Sequence, residues 1–350
     1  MKIGVYVPKL KTIEEDQLLN FIVETLLLCA AQNPEHKFLF ITESESSSLH
    51  DVPSNIETII LKQASGVLTK WKRRFILKQA LKKARPDLLV SISNDIYLVP
   101  VPHCIITTNA EKIKLKDARE VDSIIVFNEN EKVHLVENLE LTTQRIFLLY
   151  PSAGKNYEPI SLEEKQQVQA KYSDGKEYFL YNSNFDNEAD LINLLKSFSQ
   201  FKKRQQSSFK LLIAGVPNAG FDKKLADYKH RHDVRFTGLH DNNKITAAAY
   251  AVVLPFNTSH DIIAALSAMQ SGVPVIAPGG SIVNEIDDDH NAILQAATDS
   301  IKDIADKMMQ IYTDENNRSL LIRQGKTVAQ QYTQAKAAKD MWQAILKALH

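Results

Sequence analysis

Short runs rich in β-branched and aromatic residues alternate with longer stretches whose apolar positions recur every three to four residues, from one end of the chain to the other. That alternation predicts βα units wound around parallel sheets. In the first half the predicted strands are Lys2 to Val7, Lys37 to Thr42, Glu57 to Leu61, Asp87 to Ile92, Cys104 to Thr108, Asp122 to Phe127 and Arg145 to Leu149. Helices at about 13–31, 70–84 and 129–138 lie between them.

The stretch Pro151-Ser-Ala-Gly-Lys-Asn-Tyr-Glu-Pro159 has no periodic apolar pattern and collects Pro and Gly, so a domain junction is expected there. The first domain then covers residues 1–151 and the second 160–332. Strands of the second are predicted at Tyr178 to Tyr181, Lys210 to Ala214, Val234 to Thr237, Ala251 to Leu254, Val273 to Ala277 and Ala292 to Leu294. From about Thr298 the pattern is helical, ending in a helix over roughly Gln334 to Leu349. Two doubly wound domains would turn two sets of strand ends toward a shared cleft, the usual ligand position in this class.

Composition narrows the function classes. The length of 350 residues suits two domains at about 100 to 200 residues each. An apolar share of 44% with 24% charged residues excludes disordered and collagen-like chains. Lys plus Arg and Asp plus Glu each number 42, so no global basic excess points to a nucleic-acid partner. Cys29 and Cys104 lie in apolar stretches, which argues for a reducing compartment, with the cytoplasm as the expected location. No apolar run approaches the roughly 18 residues of a membrane helix. The run Ile3 to Val7 stops at Pro8 and is followed by Lys9, Lys11 and Glu14, so it reads as a first strand rather than a secretory leader.

From Phe209 the chain runs FKLLIAG, VRFTG, AVVLPF, AALSAMQSGVPVIAPGGSIVNEI and NAIL. In order and spacing this resembles the C-terminal domain of family 4 glycosyltransferases of the GT-B fold. The N-terminal half is similar only in its strand order, including ARPDLLVSIS and DSIIVFNENE. The resemblance implies two Rossmann-like domains facing a cleft and a final helix, 334–350, that packs back on the first domain. It also implies sugar transfer from a nucleotide-activated donor to a glycan or lipid-linked acceptor, usually with retention and without an obligatory metal or other cofactor.

The departing nucleoside diphosphate gains negative charge, and cations or backbone amides must meet it. The family supplies an Arg and a Lys after the first strand of the second domain, and two Glu eight residues apart. Here the register places Ser259 and Ser267 at the two Glu positions, and Asn184 and Ala189 at about the cation positions. No Lys or Arg occurs from Glu177 to Leu195. Asn109, in Thr107-Thr108-Asn109, stands where the family carries a His on the acceptor side. Gly279-Gly280-Ser281 with Glu285 keep the family pattern and are the expected donor contacts. Ser259 and Ser267 are expected to face the cleft in solvated positions that would tolerate carboxylates.

Each feature also has a plainer reading. Ser281 suits a helix N-cap, Glu285 complements a helix dipole, and His260-Asp261 suits a helix start as well as an acid-base pair. The segment Lys70 to Arg85 has eight basic residues and no acid, with Ile76, Leu77, Ala80, Leu81 and Ala84 on one face. Its outer stripe, Trp71, Arg74, Phe75, Lys78 and Lys82, suits an anionic membrane surface or a solvated basic face. Two functions stand side by side. One is a glycosyltransferase, peripheral at the inner face of the membrane. The other is a catalytically silent relative that serves as a binding or scaffolding subunit beside an active glycosyltransferase partner.

Overall fold

The computed structural model describes residues 1–8, 16–43, 52–61, 69–93, 99–114, 118–154, 156–182, 188–205, 207–215, 225–238, 242–255, 259–298 and 300–349. The chain divides into two compact units, Met1–Pro151 with Gln334–His350, and Ser152–Thr333. Between Pro151 and Ser161 the described residues form neither helix nor strand.

The first unit is a seven-stranded parallel sheet of β1 (Lys2–Val7), β2 (Lys37–Thr42), β3 (Ile56–Ile60), β4 (Leu88–Ile92), β5 (His103–Ile106), β6 (Ser123–Val126) and β7 (Ile146–Leu148), ordered β3-β2-β1-β4-β5-β6-β7. Its central strands are buried on both faces, as a parallel sheet covered by helices requires. Gly4 lets β1 approach its neighbours closely, since a Cβ there would meet Leu89 Cδ1 at 3.3 Å. Helix α1 (Gln17–Gln32) starts where the Asp16 side chain accepts the Leu19 N–H at 3.0 Å. The start expected near 13 falls on residues outside the described set. Helices α2 (Thr69–Ala84) and α3 (Glu129–Glu137) follow.

The C-terminal helix, Gln334–Lys347, completes this unit rather than the second. Cys29 Sγ donates to the Ala338 carbonyl at 3.2 Å, and the Trp342 ring lies 5.3 Å from His36 and 5.9 Å from Phe38. Burial pushes both the Cys29 and Cys104 thiols up to about 12, so neither is a nucleophile at neutral pH.

The second unit repeats the scheme with β8 (Tyr178–Tyr181), β9 (Lys210–Ile213), β10 (Val234–Phe236), β11 (Ala251–Val253), β12 (Val275–Pro278) and β13 (Ile293–Ala296), all parallel and ordered β10-β9-β8-β11-β12-β13. Its helices are α4 (Leu162–Ser173), α5 (Glu188–Gln205), α6 (Asn242–Ala247), α7 (Ser259–Gln270), α8 (Ile301–Thr313) and α9 (Glu315–Ala329). Phe179 sits edge-on to Phe201 with centroids 5.0 Å apart, and Phe209 meets Tyr250 at 5.1 Å and Tyr312 at 5.5 Å.

Strands β3 to β7, β12 and β13 start one or two residues away from the sequence pattern, and for β12 and β13 the reason is a named hydrogen bond. Val273 does not begin β12, because its N–H donates back to Ala268 O while Gly272, at φ +74°, donates to Met269 O; the pair closes α7. Likewise Ala292 precedes β13, because its N–H and that of Ile293 both donate to the buried Asp287 carboxylate at 3.0 Å. In each sheet the strand order reverses beside the first strand, at β1/β4 and β8/β11, where such sheets bind ligands beyond the strand C-termini.

A buried polar pair ties β4 to β5: Ser91 Oγ lies 2.6 Å from His103 Nε2, and burial lowers the His103 pKa to about 4. The unfolded chain takes up this proton near pH 6.5, whereas the folded chain resists it until about pH 4. Stability therefore falls as pH drops through that window, by roughly 3 kcal/mol for this group in all. Denaturant melts between pH 7 and 4 should show that slope, and His103→Gln should flatten it; an unchanged slope in the variant would assign the loss to other groups.

Candidate functional site

The reversal point of the second sheet is lined by neutral polar groups. Asn182 directly follows β8, is almost fully buried, and donates from Nδ2 to Thr246 Oγ1 of α6 at 2.8 Å. The half-buried Tyr157, from the segment before α4, brings its hydroxyl to Asn182 and Ser267; burial raises its pKa more than these two groups lower it. Ser267 itself is fully buried, and its Oγ makes no hydrogen bond of normal geometry.

This corrects the expectation of a solvated serine. Every residue of α7 from Asp261 to Met269 is buried, so the helix is covered on all sides rather than along one stripe. Part of the cover comes from α9, where Gly325 lets the helices approach; a Cβ there would touch Met269 Cγ at 3.0 Å. Asp261 is fully buried as well, which removes it from the reach of a bound ligand, while His260 is half-buried. The Ser259 side chain, Asn184 and the Ala189 side chain lie outside the described residues.

The loop after β12 is held from within. Gly279 donates to Ala296 O at 2.7 Å and its carbonyl accepts from Thr298 Oγ1 at 3.0 Å. Gly280 is exposed at φ +73°, a backbone state that disfavours any side chain, with open space where a Cβ would stand. Ser281, read either as a donor contact or as an N-cap, stands at the N-cap position of the following turn but makes no side-chain cap bond; it is buried, and its Oγ accepts from Asn284 Nδ2 at 3.0 Å, while the same amide reaches Pro278 O at 2.8 Å. The element after it is a five-residue 3-10 turn, Ile282–Ile286, too short for the amide array of a longer helix. Glu285 on this turn is half-buried, and its charge, after burial and those of Asp288 and Asp287, helps to raise the Tyr332 phenol.

In the first unit Asn109 follows β5. Its side chain accepts the Glu111 N–H at 3.1 Å and its own N–H donates to Thr107 Oγ1, so the residue caps a 3-10 turn, Ala110–Lys112, at the strand's C-terminal end. Sequence reasoning missed Tyr157, Asn182 and Thr246. The polar residue directly after β8 was a readable signal for Asn182; Tyr157 lies in an aperiodic loop and gave none. Among the described residues no group of three or more His, Cys, Asp and Glu is placed to hold a metal ion.

Residues 163–328, most of the second unit, match the family model for glycosyl transferases group 1. The whole chain has the GT-B fold of two Rossmann-like domains. It is similar to the lipopolysaccharide-biosynthesis glycosyltransferase WaaG at 13% identity and TM-score 0.76 over 99% of both chains. It is also similar to Alr3699/HepE of Anabaena, solved with UDP and glucose, at 12% identity and TM-score 0.75 over 97% of this chain and 98% of that one. Sucrose-phosphate synthase of Thermosynechococcus elongatus gives 14% identity and TM-score 0.76 over 98% of each. No curated protein matches the chain.

The burial of Ser267 sets a sharp expectation. Ser267→Glu would place a carboxylate in a covered position and should cost several kcal/mol, visible as a large fall in melting temperature. Ser267→Ala removes a hydroxyl that makes no good hydrogen bond and should change stability by less than about 1 kcal/mol. Thermal melts of the two variants compare these outcomes directly, and a stable Ser267→Glu protein would show the position to be open.

Proposed function

We propose that the protein transfers a sugar from a nucleotide-activated donor to a glycan or lipid-linked acceptor. The observation that carries this reading is the group 1 match over residues 163–328 on a GT-B frame. Alr3699/HepE, of the same fold, was solved with UDP-glucose, which makes uridine nucleotide sugars the first donors to try. In this proposal the bond from the anomeric carbon to the diphosphate oxygen breaks with retention and without a metal, the nucleoside diphosphate leaves with the bonding electron pair, and the acceptor hydroxyl bonds to the anomeric carbon while its proton passes to the departing phosphate oxygen. In this reading Gly279, Gly280, Ser281 and Glu285 hold the donor, with Ser259 and Asn184 assigned to it by the resemblance, Asn109 serves the acceptor, and the fully buried Ser267 makes no direct contact. Tyr157 and Asn182 add neutral hydrogen-bonding groups to the donor side.

Neutral groups make a weaker donor site than charged ones. A neutral hydrogen bond contributes about 0.5 to 1.5 kcal/mol net, against about 1.5 to 3 for one to a charged group. Two Glu and two cations replaced together would thus cost orders of magnitude in affinity. That observation favours a second reading, a catalytically silent subunit that scaffolds an active glycosyltransferase. A lipid-linked acceptor would place the protein in the cytoplasm at the inner face of a membrane. No helix among the described residues is long and apolar enough to cross one.

Calorimetric titration with UDP-, GDP- and ADP-sugars separates the two readings. Binding of any one tighter than about 0.1 mM, roughly −5.5 kcal/mol, is expected for the transferase. Heat with none of them at millimolar concentration would favour the silent subunit.

A further inference from the structure

The turn Ile282–Ile286 carries one buried polar side chain that the proposed donor contacts do not include. Asn284 is 9% exposed, and its Nδ2 donates to Pro278 O at 2.8 Å, to Ser281 O at 3.2 Å and to Ser281 Oγ at 3.0 Å. Backbone carbonyls only accept, so these contacts fix which end of the amide faces the loop. The other end, Oδ1, is buried and has no hydrogen-bond partner.

The backbone does not need this amide. Pro278 O already accepts the Ser281 N–H at 3.3 Å, and Ser281 O already accepts the Asn284 N–H at 2.9 Å. Gly279 O is met by Thr298 Oγ1, and Asp287 separately secures the far end of the turn through the N–H groups of Asn291, Ala292 and Ile293. Asn284 therefore adds second bonds to carbonyls that are already paired, and it does so while leaving a buried acceptor unmet, which is unfavourable for folding. What the amide alone supplies is the polarity of Ser281. A hydroxyl has one proton to donate, and with Nδ2 on its oxygen that proton points away from Asn284. Ser281 keeps 6% of its surface exposed, beside the exposed Gly280, whereas Ser267 keeps none.

We propose that Asn284 is a positioning residue for the donor: its amide fixes the Ser281 hydroxyl as a hydrogen-bond donor to a diphosphate oxygen and holds the Pro278 and Ser281 carbonyls away from that charge. A carbonyl turned toward a diphosphate would repel it, while an O–H group aimed at it makes a charge-assisted bond. The inference rests on the reading of Ser281 as a donor contact. To that reading it adds the direction of the hydrogen bond, the part of the donor that receives it, and the side chain that sets it.

The test is calorimetric titration of the full chain with UDP, GDP and ADP and with the matching monophosphates. The unsubstituted protein should prefer the tightest-bound diphosphate over its monophosphate by about tenfold or more. Asn284→Ala and Ser281→Ala should each cut that preference to about twofold or less, and the double variant should fall no further, because the two residues make one interaction. The melting temperature of Asn284→Ala should stay within about 3 °C of the unsubstituted protein. Asn284→Ser, whose hydroxyl is too short to reach all three acceptors, should lose the preference in the same way. A preference retained by the folded Asn284 variants, or additive losses in the double variant, would overturn the inference and leave sugar transfer standing. Failure of both Asn284 variants to fold would overturn it too, since it gives the amide no duty in folding. Absence of diphosphate binding by the unsubstituted protein would overturn the donor reading itself, and the inference with it.

Discussion

Burial of parallel strands on both faces is the constraint that organises this protein. Strands such as β4, β5, β8 and β12 are buried along their whole length, so no side chain within them can meet a ligand. Polar chemistry is left to the strand ends. At β8 this leaves Asn182, and after β12 the loop from Gly279; at β5 it leaves Asn109. Even the one histidine inside the sheet, His103, is answered locally by Ser91 and held neutral.

The same constraint explains what could be read in advance. A strand buried on both faces must be a continuous apolar run, and these runs stand out as Phe38 to Ile41 or Leu88 to Val90. The basic helix was equally legible, because its apolar face, Ile76, Leu77, Ala80, Leu81 and Ala84, is the one packed on the sheet. Boundaries were less so, since they are set by single hydrogen bonds such as those of Gly272 and Asp287 that leave no periodic trace.

The candidate site was legible only as positions. Resemblance gave the register of Ser267, but its environment follows from cover supplied by distant residues: Gly325 beside Met269 and Tyr157 beside Asn182. Helix α7 carries small and aliphatic residues around its whole circumference, Ile-Ile-Ala-Ala-Leu-Ser-Ala-Met. That is the composition of a buried helix rather than of an amphipathic one. Read that way, the sequence itself argued against a solvated Ser267.

Burial limits the charge that α7 can take at Ser267. An isolated carboxylate taken from water into a covered position costs several kcal/mol unless a cation comes with it. From Glu177 to Leu195 the chain offers no cation. A Glu at 267 without that counter-charge would strain the fold whether or not the protein binds a nucleotide. Tyr157 fits this logic. Its hydroxyl reaches the space beside Ser267 with a group that hydrogen-bonds without a charge, and burial keeps the phenol protonated. A hydroxyl beside Ser267 thus leaves no uncompensated charge in the covered space.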